Sequence, residues 1–238
     1  SIRIDTIALS NGKVEYHEKD KGPDYGMVSF SDINGIMTGL NNSKDADTTS
    51  HLVVDATANV YEKIPVQMSY KASMASANDE FTLDAKLGAL PFSVFNRMTD
   101  DLLNIQATGG RIHSMHIKMR GNESTASGTM DLAYDDLRID LVPKADQWHE
   151  GKLKNLFGNA LVRTRNMPGE KKYRQGSFTV DRRKDRAVFN FLWQAVKVGS
   201  VDTMAPGLLR NQMRKVVSKT QPKDGDGSKK RRLKRKKR

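Results

Sequence analysis

Cysteine is absent from the 238 residues, which excludes disulfides, thiolate zinc centres and cysteine nucleophiles. A chain without cysteine is compatible with an oxidising compartment such as a periplasm. No stretch approaches the roughly 18 consecutive apolar residues of a membrane-spanning helix. Apolar residues make up 37% of the chain and mean hydropathy is −0.63, values that suit a thin or extended body with much of its backbone at the solvent. Aromatics are sparse at 7%. None interrupts the basic C-terminus, where base stacking on a nucleic acid would need them.

Charge is abundant but unevenly placed. Residues 210–238 hold 14 Lys or Arg and two acids, Asp224 and Asp226, which accounts for the whole formal charge of +12. Residues 1–209 carry the other 26 basic side chains (40 less 14) and 26 acidic ones (28 less 2), so the body is neutral. This divides the chain into a body, 1–209, and a basic tail, 210–238. From Gln221 onward the tail is Pro, Gly, Asp, Ser and Lys/Arg, too poor in apolar surface to offset its chain entropy, so disorder is expected. Lys229, Lys230, Arg231, Arg232, Lys234, Arg235, Lys236, Lys237 and Arg238 form a dense cationic array. It suits an anionic membrane surface, each charge contributing about 1 kcal/mol. It could also track nucleic-acid phosphates, but specific nucleic-acid recognition is not expected.

The body reads as strands. Leu52, Val54, Ala56, Ala58 and Val60 share one parity, as do Ile64, Val66, Met68, Tyr70 and Ala72, and then Phe81, Leu83, Ala85 and Leu87. Three period-2 runs with short connections predict an antiparallel meander with one apolar face. Ile2–Leu9, Asn11-Gly12 and Val14–Tyr16 predict a hairpin, and Met27–Ile36 another strand. Pro91–Leu103 predicts a short amphipathic helix. Ile105–Ala107 and Ile112–Met119 read as strands around a Gly109-Gly110 turn. The apolar phase flips at Asp135-Asp136 between Met130–Tyr134 and Leu137–Leu141, predicting a bulge or tight turn. Short helices are expected at Leu153–Leu161 and Ala187–Val198, and a strand at Gln175–Arg182.

Catalytic constellations are not found. His113-x-x-His116 is the one close histidine pair, and i, i+3 on a strand sends the rings apart. Gly109-Gly110 lacks the residues of a phosphate loop, and no Gly-x-Ser-x-Gly elbow occurs. Asp100-Asp101 and Asp135-Asp136 are adjacent carboxylates whose directions split. The reading is therefore non-enzymatic, with no metal and no cofactor. Eleven methionines, with Met68, Met115, Met119 and Met130 on apolar strand faces, suit either core filling or an adaptable apolar lining.

Three stretches carry a resemblance. The opening Ile2-Arg-Ile-Asp-Thr-Ile-Ala-Leu-Ser-Asn-Gly-Lys-Val-Glu-Tyr16, the run Gly128-Thr-Met-Asp-Leu-Ala-Tyr-Asp-Asp-Leu-Arg-Ile-Asp-Leu141, and the segments Leu153–Asn166, Gly176–Asp181 and Ala187–Gly199 (with Phe189-Asn-Phe-Leu-Trp193) resemble AsmA-like envelope proteins of the bacteroidete branch. The resemblance covers most of residues 1–200 and rests on hydrophobic patterns. It implies a mainly β fold: an elongated, curved antiparallel sheet, groove-like, with a few short helices. It also implies a periplasmic C-terminal portion tethered to the bacterial inner membrane by an N-terminal helix outside these residues, handling phospholipid in support of outer-membrane biogenesis, with other envelope proteins as partners. Leu52, Val54, Val66, Met68, Phe81, Leu83, Met115, Ile117, Met130 and Leu132 are the expected groove lining. The competing reading is a periplasmic scaffold whose sheet is fully covered by its own helices and whose tail docks an acidic partner.

Overall fold

The computed structural model describes residues 2–19, 25–43, 50–103, 105–141, 162–207 and 210–211. Strand outweighs helix by 60% to 16%, and the strands form one curved, open antiparallel sheet. They are β1 (Arg3–Lys19), β2 (Tyr25–Asn41), β3 (His51–Val60), β4 (Ile64–Ser73), β5 (Phe81–Leu87), β6 (Leu90–Pro91), β7 (Ile105–Gly121), β8 (Thr125–Leu141) and β9 (Gly176–Asp181). Spatial order follows chain order, β1-β2-β3-β4-β5-β7-β8-β9, with the short β6 also on β7. A 3-10 turn (Phe92–Phe95) and helix α1 (Asn96–Leu103) lie between β6 and β7, and α2 (Val188–Met204) follows β9.

The meander of β3, β4 and β5 is as the alternation predicts, because its register aligns the apolar parity of every strand. Ala58 faces Val66, which faces Leu87. Ala56 faces Met68, which faces Ala85, and the row continues through Ile117 of β7 to Met130 of β8. A one-residue slip anywhere would carry these side chains to the solvent face. The β3–β4 connection places Tyr61 and Glu62 at φ 48° and 65°, the geometry of a tight primed turn. A tyrosine is unusual there. Tertiary contacts hold it: its hydroxyl donates to the Met27 carbonyl at 2.5 Å, and the Arg97 guanidinium lies 5.4 Å from its ring centre.

Two expected turns are instead irregularities inside long strands. Asn11-Gly12 does not end a hairpin; β1 runs straight through it for 17 residues, paired with β2 from Arg3–Asn41 to Lys19–Tyr25. Asn11 takes φ 54°, its N–H donates to Asn34 Oδ1, and the register shifts on both sides of Gly12. Left-handed backbone at Asn-Gly serves a turn or a bulge equally well, and a partner strand of equal length selects the bulge. Gly109-Gly110 likewise sits within β7, where Gly110 has φ 103°. A Cβ on Gly110 would come 2.7 Å from the Leu137 Cα, so glycine is needed for the approach of β8. Across from it, Asp136 takes φ 51° and the register shifts, which is the bulge that the phase flip predicts.

Residues 92–103 form the expected short helix, divided between the 3-10 turn and α1. Gly176–Asp181 is strand, and the helix expected at Ala187–Val198 begins at Val188 and continues to Met204. The helix expected at Leu153–Leu161 and the tail from residue 212, including Lys229–Arg238, lie outside the described residues.

Candidate apolar binding site

Helix α2 is strapped across the apolar face of the sheet, and its two ends are held by different chemistry. At its N-terminus the Phe189 ring stacks on Tyr16 of β1 (centroids 5.2 Å) and packs against Phe30 of β2 (5.6 Å). Beside them Glu18 is buried. It accepts from Asn190 Nδ2 at 3.0 Å and from the Tyr16 hydroxyl, with Arg186 Nη1 at 3.5 Å. Aromatic burial and a paired carboxylate thus fasten α2 to the first hairpin.

The C-terminal half is pressed onto β8 and β9. A Cβ on Gly199 would lie 3.0 Å from Met130 Cε and 3.2 Å from Phe178 Cδ1. One on Gly176 would run into Thr203 Oγ1 and come 2.5 Å from the Gly199 carbonyl oxygen. Small residues on both sides permit this approach. A polar knot then locks it. Asp202, fully buried, accepts from the Ser177 N–H at 2.8 Å and from both edges of the Arg210 guanidinium, at 2.7 and 2.5 Å. Asn166, also buried, donates to the Leu132 carbonyl at 2.7 Å and accepts from the Arg174 N–H at 2.8 Å. The Tyr134 hydroxyl donates to the Arg163 carbonyl at 2.9 Å, and burial pushes this phenol up to about 12.

Between the two fastenings the helix stands off the sheet, because Phe189, Phe191 and Leu192 meet a floor of side chains rather than glycines. A cavity of about 890 Å³ remains, near the upper end of the roughly 300–1,000 Å³ usual for ligand sites. Its floor includes Ala58, Val66, Met68, Leu83, Ala85 and Ile117, and its roof Phe189, Phe191, Leu192 and Val196. Phe95, Met98 and Tyr61 line the end beside α1. At the other end, where the β4–β5 and β7–β8 turns meet, Asp79, Asn122, Glu123, Arg182 and Lys184 form a polar margin.

Six of the ten expected lining residues border this space: Val66, Met68, Phe81, Leu83, Met115 and Ile117. The other four do not. Leu52 and Val54 share the apolar parity of β3 but sit towards its His51 end, beyond the cavity. Met130 and Leu132 are wholly buried under the tightly packed half of α2, so they are core. The sequence reading missed the roof residue Phe189, the contribution of Val14, Tyr16 and Phe30 from the first hairpin, and Arg182. The Phe189-Asn-Phe-Leu-Trp193 run was the available signal for the roof.

The histidine pair does not converge. His116 Nε2 lies 2.8 Å from Asp84 of β5, and His113 Nε2 lies 3.0 Å from Asp135 of β8, so each ring has a carboxylate on a different neighbouring strand. Among the described residues no three metal-ligating side chains gather, and no helix is long and apolar enough to cross a membrane.

These features define a class: a single antiparallel sheet whose apolar face encloses a cavity beneath a strapped helix. No protein-family model, curated protein or solved structure matches the chain.

Proposed function

We propose that this chain is a non-catalytic lipid-binding module of the bacterial cell envelope, which holds phospholipid acyl chains in the cavity beneath α2. The observation that carries the reading is the cavity itself, large and walled almost throughout by apolar side chains. Held dry and empty, a void of this size would cost about 20 kcal/mol at roughly 24 cal/mol per Å³. That exceeds the whole net stability of an ordinary domain, about 5–15 kcal/mol. Water in the cavity finds few polar partners. Each buried methylene contributes about 0.8 kcal/mol, and flexible methionines such as Met68 and Met115 adapt to chains of different length. The AsmA-like resemblance supplies the setting: the periplasm, an inner-membrane tether outside these residues, and phospholipid supply to the outer membrane. In this reading Lys229–Arg238 rests on an anionic membrane surface.

A scaffold function is the second reading. The sealed packing of Met130 and Leu132 beneath α2 favours it, because there the helix covers the sheet completely. Extraction and mass spectrometry of the purified chain separates the two. Co-purified phospholipid, lost from an Ala58→Trp variant that fills the floor, is the expected result. A lipid-free protein that takes up no added phospholipid would leave the scaffold. For the tail, liposomes containing phosphatidylglycerol should release a chain truncated after Pro222. Undiminished binding by that truncated chain would remove the tail from membrane attachment.

A further inference from the structure

The cavity is apolar along its length but ends at one charged margin, and the charges there are not all paired. Lys184 Nζ lies 3.2 Å from Glu123 Oε2, so those two groups compensate each other. Arg182 is different. Its guanidinium lies 5.9 Å from the centre of the Phe191 ring, and among the described residues no carboxylate stands within ion-pair distance of it. The backbone around it is fixed, since the Arg182 N–H donates to the Ser124 carbonyl at 2.8 Å and joins the end of β9 to the β7–β8 turn. Phe191 is itself a roof residue, 6.3 Å from Phe81, so the guanidinium is seated on the wall of the cavity.

Stacking occupies the face of a guanidinium and leaves its N–H edge free to donate. An edge of that kind, pre-positioned by an aromatic ring and half shielded from water, is a two-donor site for a carboxylate or phosphodiester oxygen pair. Asp79 and Glu123 stand at the same margin and disfavour additional negative charge. Tyr70 lies in this field, its phenol raised by burial first and by Asp79 second, with Arg182 acting in the opposite direction.

We infer that Arg182 is the head-group site of this cavity, binding the singly charged anionic head of an amphiphile whose acyl chain lies beneath α2. The inference rests on the lipid-binding reading and adds polarity to it: the head lies at the β4–β5 and β7–β8 turns and the chain end points towards Phe95 and Met98. An amphiphile with no ionised head gains nothing from Arg182.

Three probes with one oleoyl chain test this on the full 238-residue chain, delipidated and below micelle concentrations: oleate, oleoyl-lysophosphatidylglycerol and monoolein. The expected result is that the intact protein binds at least one ionised probe about tenfold more tightly than monoolein, as a charge-assisted hydrogen-bond pair implies. Arg182→Gln should remove that preference and leave monoolein affinity unchanged, which also reports an intact fold; Arg182→Lys should keep most of it. Preference for oleate alone identifies a free carboxylate as the head, and preference for the lysophospholipid alone identifies a phosphodiester. Equal binding of all three by the intact protein, or an undiminished preference in Arg182→Gln, overturns the head-group site while leaving the cavity reading standing. If none of the three binds, both fail.

Discussion

The two halves of α2 lie over the same sheet and produce opposite results. From Val198 to Thr203 the helix presents Gly199 to Met130 and Phe178, and the interface closes to core density. From Phe189 to Val196 it presents large side chains to a floor of medium ones, and a cavity of about 890 Å³ remains. The lesson is one of side-chain size. A helix settles as close to a sheet as its bulkiest opposed residues allow, and here the closest approach occurs where glycine faces glycine. The buried knot of Asp202, Asn166 and Tyr134 lies at the closed half, while at the open end of the cavity Arg182 stands without a carboxylate partner. The molecule thus divides into a region built for fixity and one built for capacity.

The sharpest way to break this comparison is through Asp202. Its replacement by Ala leaves the Ser177 N–H without its acceptor and the Arg210 guanidinium without its counter-charge. A loss of about 3–4 kcal/mol in chemical denaturation is expected; a loss below about 1 kcal/mol would show that the knot does not hold the closed half.

A matched pair of methionines comes next. Met130→Ala, in the closed half, should cost about 3 kcal/mol because the surroundings cannot collapse into the gap. Met68→Ala, on the cavity floor, removes contacts that face open space and should cost under about 1 kcal/mol in delipidated protein. Equal losses would mean the cavity is closed in solution.

Alkaline pH sharpens the comparison further. The Tyr134 phenol is raised to about 12 by burial, against about 10 in an unfolded chain. Below pH 10 both states hold the proton. Between the two values the unfolded state loses it first, so this group's contribution to stability falls as pH rises, by about 2–3 kcal/mol at pH 12. Tyr61 and Tyr173 are raised to about 12 as well, so the readout is the difference between the intact protein and Tyr134→Phe, whose stability should decline less steeply.

The smallest effect is expected at the outer strand. Ile7 is 39% exposed and lies on β1, at one end of the strand order. Ile7→Lys should change stability by less than about 0.5 kcal/mol and lower self-association measured by light scattering, because charge on an edge strand opposes edge pairing.

Much of this architecture is legible in the residues, and the limits of legibility are instructive. The runs at 52–60, 64–72 and 81–87 announce strands because alternation is a local property of a pleated backbone with one dry face. Phe92 to Leu103 announces a helix by its spacing, and the phase flip at Asp135-Asp136 announces a bulge. Asn11-Gly12 and Gly109-Gly110 mislead because a left-handed residue is needed both to reverse a chain and to bulge it. Of the cavity, the floor was visible at Val66, Met68, Phe81, Leu83, Met115 and Ile117, since parity marks an apolar face. Parity cannot mark where along a strand that face is left open, so it also included Leu52, Val54, Met130 and Leu132.

By itself, then, the sequence determined the neutral body with its cationic tail, the strand class of the fold and the apolar face of the central strands, because composition and period are carried by neighbouring residues. Tertiary structure decided that Asn11-Gly12 lies within one continuous strand, that Met130 is core while Met68 borders a cavity, and that Arg182 stands at its mouth on Phe191. Each of these depends on which distant segment arrives opposite: β2 along β1, Gly199 above Met130, the aromatic roof above Met68. No local pattern encodes the size of a partner more than a hundred residues away.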